Sequence, residues 1–495
     1  MITPDTPDRV YSTRLRTALV LTGSGTSAAY HAGVLRAFHE AGIKIDLSAG
    51  RGAGVVGALF AAVDGGARLW EADGIWRNAA APRYYGWRAS LRSAGWILAA
   101  GAVLLAVPLV LVALAVLLAI VGFLLTLVGL SGVATTITTG FTHWIEQLFA
   151  PTALPTVIPR LALLAVLAAA VAVVSGALSG PFRSRVRRRA RWGIVSRIFG
   201  GPLSPVSLAD RCASELWSLI RGAAPLPTPS RVELGRRYME LLTDNLEQPG
   251  FRELLVAVHD LDAQRDLVFA LLHERLRPRF FSRVSNAVGA RLQEAALGGR
   301  AVVEQLDTNS RPIEAFDLAG TARDHAIDAM DAALAMPLAV DPHLITFAPD
   351  GPWRGEAHRV CDRPGSLLRL LEEVAAASVE QVILVAGSPP AGRPHELSAS
   401  RGDLRGRAGE QLAAFESATL RDAVEQFTGR FAGLFVIRPV HNPLGPLDFA
   451  GVYDERSDRS HLLAELVDRG YEDAYRQFIE PVVGASGEKI ATVQH

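Results

Sequence analysis

Residues 96–130 run without a single Asp, Glu, Lys or Arg, and residues 161–180 do so again. An α-helix rises about 1.5 Å per residue, so runs of this length can cross a hydrocarbon core of about 30 Å. Any fold for this chain has to accommodate two strongly apolar helices. Residues 134–156, between them, contain no Lys or Arg, whereas Arg77, Arg83, Arg88 and Arg92 precede the first run. Arg183, Arg185, Arg187, Arg188, Arg189 and Arg191 follow the second. Positive charge gathers on the cytoplasmic side of membrane segments, so both outer flanks are expected in the cytosol and the connection outside. Two spans forming a hairpin satisfy that pattern. The expected localisation is the inner (cytoplasmic) membrane, multi-pass, with the remaining chain cytosolic. Residues 1–8 are acidic and proline-broken, without the basic and apolar regions of a signal peptide, and are expected to stay in the cytosol.

The other exclusions come from charge and cysteine usage. Lys+Arg and Asp+Glu are 50 each in 495 residues, a formal net charge of zero, which argues against a nucleic-acid partner held by a basic field over the whole surface. Cys212 and Cys361 are too few for a disulfide framework and lack the spacing of a zinc site, so both read as buried thiols. No metal and no cofactor is expected.

Three segments follow from the pattern along the chain: 14–72, the apolar insertion 95–182, and 205–495. Residues 17–22 read as a buried strand, a glycine-containing turn leads into a helix over 28–41, and 43–48 reads as a second short strand. The glycine cluster Gly50, Gly52 and Gly54 then opens a helix over 55–63. Strand, turn, helix, strand, sharp turn and helix make the opening of an α/β domain. Residues 207–336 read as helix-rich, interrupted by a strand-like 301–306. Strands are expected again at 343–347, 381–385 and 434–438. A helix over 366–377 would join the first two of these into a βαβ unit. Residues 387–407 read as a Pro/Gly/Arg-rich loop.

Residues 19–25 (Leu-Val-Leu-Thr-Gly-Ser-Gly), the helix ending at Gly42-Ile43, and the Gly50-Arg51-Gly52-Ala53-Gly54 turn together resemble the start of the patatin-like phospholipases. That family opens with a strand, a glycine-rich oxyanion loop, a helix and a G-x-S-x-G elbow. Asp350-Gly351 is similar to the motif that bears the family's catalytic Asp, and residues 438–439 and 470–474 are similar to the ends of bacterial members. The resemblance implies an α/β fold with a patatin-like, mostly parallel sheet flanked by helices and an inserted transmembrane helical hairpin. It also implies a two-residue site in which an elbow serine attacks an acyl carbonyl, an Asp takes its proton, and loop amides hold the oxyanion.

Mapped onto this chain, the nucleophile position is Gly52, within the elbow Gly50, Arg51, Ala53 and Gly54, and the base position is Asp350. The oxyanion loop is Gly23, Ser24, Gly25 and Thr26. Gly52 has no hydroxyl, so the leading expectation is a lipid acyl-hydrolase relative that has become a pseudoenzyme, with membrane lipids or a protein as its partner. A serine returned to position 52 is expected to restore an activity dependent on Asp350. Two other readings stay open. One is an active lipid acyl hydrolase, a phospholipase or esterase using another nucleophile or a water directed by Asp350. The other is a dinucleotide-binding protein, from Gly23-x-Gly25-x-x-Ala28 with Asp46 about 20 residues on. His31 and His39 read as structural or exposed, Ser24 and Ser27 as hydrogen-bond donors to the loop or to an anion, and Arg51 as a surface arginine.

Overall fold

The computed structural model describes residues 11–148, 154–179, 200–281, 314–349, 353, 355–390, 403–455 and 457–484. The chain divides into two compact units, one formed by the residues up to Gly86 together with those from Leu203 onward, the other by Trp87–Pro202.

In the first unit, β1 (Thr17–Thr22) is an unbroken apolar run buried along its whole length. Its residues alternate between two cores, Leu19 and Leu21 in one and Ala18 and Val20 in the other, as the two-residue period of a strand requires. A strand apolar on both faces suits the middle of a sheet covered on both sides. Helices α1 (Ser27–Glu40) and α2 (Gly54–Ala62) contribute to the first core. Among the described residues the sheet has nine strands. Beside β1 lie β2 (Leu47–Arg51) and β8 (Gln381–Ala386), both parallel to it, with β9 (Gly433–Ile437) parallel to β8 at that edge. Beyond β2 come β3 (Glu253–Asp260), parallel, then β4 (Arg265–Leu271), antiparallel to β3, then β5 (Ala315–Asp317). Strand β7 (Ala357–Cys361) pairs antiparallel with the end of β3 and with β6 (His343–Thr346). The expected class therefore holds: α/β, with a mostly parallel central sheet flanked by helices. Helices α6 (Val206–Arg221), α7 (Arg231–Asn245) and α8 (Ala326–Ala333) complete the first core, while α9 (Ser366–Ala376) and α10 (Leu404–Phe427) cover the opposite face.

Several local expectations change. The β3–β4 hairpin lies inside the segment that read as helical; a short continuous apolar run such as Leu254–Val258 fits a buried strand and a buried helix equally well by periodicity. The second strand starts at Leu47 instead of residue 43, because Asp46 turns its carboxylate onto the Thr17 N–H at 2.8 Å and ends the approach loop there. The strand over 343–346 does not form a βαβ unit with β8. Instead it pairs with β7, and β8 inserts beside β1. Residues 301–306 lie outside the described residues.

The second unit holds α3 (Ala89–Leu127), α4 (Ser131–Leu148) and α5 (Leu154–Ser179), with α3 packed along both of the others. Helix α3 has 39 residues, about 58 Å at 1.5 Å per residue. Many of its apolar side chains are uncovered, among them Leu109, Val110 and Phe123. Among the described residues it is the one helix long and apolar enough to cross a membrane; α5 contains a shorter apolar stretch, Arg160–Ser175. The arginine cluster at 183–191 lies outside the described residues.

Candidate functional site

The parallel strands β1, β2 and β8 end side by side, and open α/β sheets use this carboxyl edge to place ligands. Three loops meet there. Gly23–Thr26 follows β1, Gly52 and Ala53 follow β2, and Gly387 follows β8. The Gly23–Thr26 loop is pinned from outside: Thr26 donates its N–H to the Pro446 carbonyl at 3.1 Å and its hydroxyl to the Gly445 carbonyl at 2.9 Å. Gly25, at φ +59°, lies so close to the Pro446 carbonyl that a Cβ would stand 1.8 Å from its oxygen. No other residue fits that position.

Gly52 turns the chain at φ +54°, the left-handed backbone of a sharp strand-to-helix elbow. A Cβ on Gly52 would stand 2.6 Å from the Gly23 carbonyl oxygen and 2.8 Å from Asp362 Oδ2. The elbow and the Gly23–Thr26 loop therefore come together as expected, and the carboxylate facing them belongs to Asp362. Asp350 lies outside the described residues. Asp362 follows β7 directly, and its N–H is held by the Ala335 carbonyl at 3.0 Å.

Arg51, the residue before Gly52, is fully buried and not at the surface as the sequence suggests. Its Nε donates to Thr22 Oγ1 at 2.8 Å, its Nη1 to Asp362 Oδ1 at 2.8 Å, and its Nη2 to Glu416 Oε2. Each guanidinium nitrogen thus has a partner. Burial opposes the charge on Arg51, but the carboxylates of Asp362 and Glu416 outweigh it and raise its pKa. Ser24 Oγ completes the cluster, 2.6 Å from Asp362 Oδ2 and 2.8 Å from Glu416 Oε1.

A serine hydroxyl has one hydrogen to donate, and an ionised carboxylate has none. Both Ser24 contacts become hydrogen bonds only when one carboxyl carries a proton. Burial pushes the pKa of Glu416 up, Arg51 opposes this, and the neighbouring Asp362 charge adds to the rise, so burial favours a proton on Glu416. With the proton on Glu416, that carboxyl would donate to Ser24, Ser24 would donate to Asp362, and Arg51 would be balanced by Asp362. The four side chains form a closed cluster beside Gly52.

The backbone donors are engaged as well. The amide after the elbow position, which commonly serves an oxyanion in elbow enzymes, donates here from Ala53 to the Gly23 carbonyl at 2.9 Å. With the Thr26 amide held by Pro446, one donor of the elbow and one of the Gly23–Thr26 loop already have internal acceptors. His31 is buried and donates from Nε2 to the Thr22 carbonyl at 3.1 Å; burial lowers its pKa to about 3, so it is a neutral structural residue. His39 is exposed. Cys212 and Cys361 are buried free thiols, and burial raises both, Cys361 to about 12. Asp46 sits at the start of β2, the opposite end of that strand from the glycine loop, so it is not placed as the ribose-binding acid of a dinucleotide site.

Two members of the cluster, Asp362 and Glu416, escaped the sequence reading. Glu416 did leave a trace: it falls between buried Leu412 and Leu420 at four-residue spacing on α10, an acid on an otherwise apolar face. No family model and no curated protein matches the chain.

Proposed function

We propose that the chain is a membrane-anchored protein of the patatin-like kind whose elbow no longer forms an acyl-enzyme, and that it binds lipid or a protein partner at the cytosolic membrane face. The observation that carries the silent-elbow reading is Gly52 itself, in left-handed backbone at the end of β2 with the Asp362 carboxylate 2.8 Å from where a side chain would begin. A hydroxyl at that point, facing an Asp, would be the two-residue hydrolase arrangement. With hydrogen there, no group at the elbow can attack a carbonyl. The test is hydrolysis of short-chain aryl esters by the full-length protein in detergent. Turnover is expected to be equal in the natural chain and in Asp362→Ala. Robust turnover abolished by Asp362→Ala would overturn the reading, because it would require a water or another nucleophile acting through that carboxylate.

The membrane part of the proposal is supported by the length and uncovered apolar surface of α3 and by the arginines on its cytosolic-side flank. Single cysteines at Thr138 and Ser184 report the topology in intact cells. An impermeant maleimide is expected to reach Thr138→Cys from outside and to leave Ser184→Cys unlabelled. Labelling of Ser184→Cys would overturn the hairpin arrangement.

A further inference from the structure

The short hairpin β10 (Val452–Asp454) and β11 (Arg459–His461), which leads into α11 (Leu463–Ala474), carries Ser457, His461 and Glu465 at four-residue intervals. Ser457 Oγ lies 2.8 Å from His461 Nε2, and His461 Nδ1 lies 3.0 Å from Glu465 Oε2. The other oxygen of Glu465 accepts the Leu462 N–H at 3.1 Å, so the carboxylate is fixed from two directions at the start of α11. Ser457 is exposed and His461 is buried, which leaves the hydroxyl open to solvent and the imidazole shielded. Hydroxyl, imidazole and carboxylate in that order, each within hydrogen-bond reach of the next, are the parts of an activated nucleophile.

We propose that Ser457 is a reactive nucleophile with His461 as its base and Glu465 as the residue that positions the imidazole. It would accept acyl groups from donors with a good leaving group, aryl esters and thioesters. These residues lie apart in sequence from the closed cluster at Gly52, and the proposal goes beyond the reading of that cluster. The serine oxygen bonds to the acyl carbon while its proton passes to His461 Nε2. The bond to the leaving group then breaks with its electron pair, and the departing aryloxide or thiolate takes the proton from His461. Water later hydrolyses the acyl-serine to the free acid and restores the hydroxyl.

The neighbouring charges set the condition for this. Asp454 Oδ2 lies 2.8 Å from Ser457 Oγ and 3.7 Å from His461 Nε2, and it also meets His441 Nε2 at 3.3 Å. Arg459 reaches Glu465 at 3.3 Å. The Ser457 hydroxyl has one hydrogen, which it can donate to Asp454 Oδ2 or to His461 Nε2. In the tautomer with Nδ1–H directed at Glu465, Nε2 is the acceptor and the nucleophile is armed. After proton transfer, Asp454 and Glu465 flank the imidazolium and stabilise it.

Ser460, an exposed serine on the same hairpin, supplies an internal reference. The full-length protein in detergent is treated with a fluorophosphonate probe, which forms an O–P bond and expels fluoride, and the adducts are quantified by peptide mass spectrometry. Ser457 is expected to react at least about 100-fold faster than Ser460, the lower bound for a positioned base. His461→Gln should bring Ser457 down to the Ser460 rate, and Glu465→Gln should slow it about tenfold. Ser457→Ala should remove the adduct and any aryl-ester turnover that survives Asp362→Ala. Equal rates at Ser457 and Ser460 in the natural chain would overturn the proposal without relying on any variant, as would an undiminished Ser457 rate in folded His461→Gln. Either result leaves the reading of Gly52 untouched, since that is tested by dependence on Asp362.

Discussion

Arg51→Met is expected to destabilise the fold by about 3–5 kcal/mol, the cost of removing one partner from a buried ion pair and leaving the other uncompensated. Asp362 would stay in the interior without its cation, and Glu416 would lose its acceptor contact. Glu416→Gln is expected to behave in the opposite way, within about 1 kcal/mol of the natural chain. The amide oxygen can accept from Arg51 and the amide nitrogen can donate to Ser24, reproducing a protonated glutamate. Thermal unfolding of the full-length protein followed by intrinsic fluorescence measures both. A large loss in Glu416→Gln together with a small one in Arg51→Met would show that Glu416 is ionised and that the proton lies elsewhere.

The same assignment fixes the sign of a pH dependence. Burial raises the pKa of Glu416 above the ordinary carboxyl value of 4.5, so the folded chain keeps a proton that the unfolded chain releases. Its contribution is fully present below pH 4.5 and is lost as pH rises through the folded value, at up to about 1.4 kcal/mol per pH unit. Compared with Glu416→Gln, the natural chain should therefore lose stability progressively above about pH 4.5. A difference between the two that stays flat with pH would exclude a retained proton.

Gly52→Ser is expected to cost about 2–5 kcal/mol and to gain no hydrolytic activity. A serine there must adopt φ near +54° and place its Cβ 2.6 Å from a backbone oxygen and 2.8 Å from the Asp362 carboxylate. Left-handed backbone costs a non-glycine residue about 1–3 kcal/mol, and an overfilled interior a further 1–3. The Gly23 carbonyl cannot retreat freely, since it accepts the Ala53 N–H at 2.9 Å. The expectation from sequence was a restored activity, and the geometry reverses it: the loops have closed around the glycine. An ester-hydrolysis rate in Gly52→Ser that exceeds the natural chain, at unchanged melting temperature, would show that the elbow still has room for its side chain.

Much of the first unit was readable along the chain, because its signals are local. An apolar run bounded by glycine reads as a buried strand, as at 17–22, and the glycines at 50, 52 and 54 mark a turn too tight for other residues. Those two features located the elbow and the loop beside it. The partners of Arg51 were not readable in that way, since Asp362 and Glu416 are 311 and 365 positions away and reach it only through the sheet order and the covering helix. The choice of acid shows why. Asp350 carries the Asp-Gly signal that drew attention to it, whereas Asp362-Arg363 carries no such local mark. The antiparallel pairing of β7 with the end of β3 delivers Asp362 to the carboxyl edge of the sheet. The raised pKa of Glu416 and the burial of Arg51 depend on that assembly, because desolvation and ion pairing exist only once the three side chains are enclosed together.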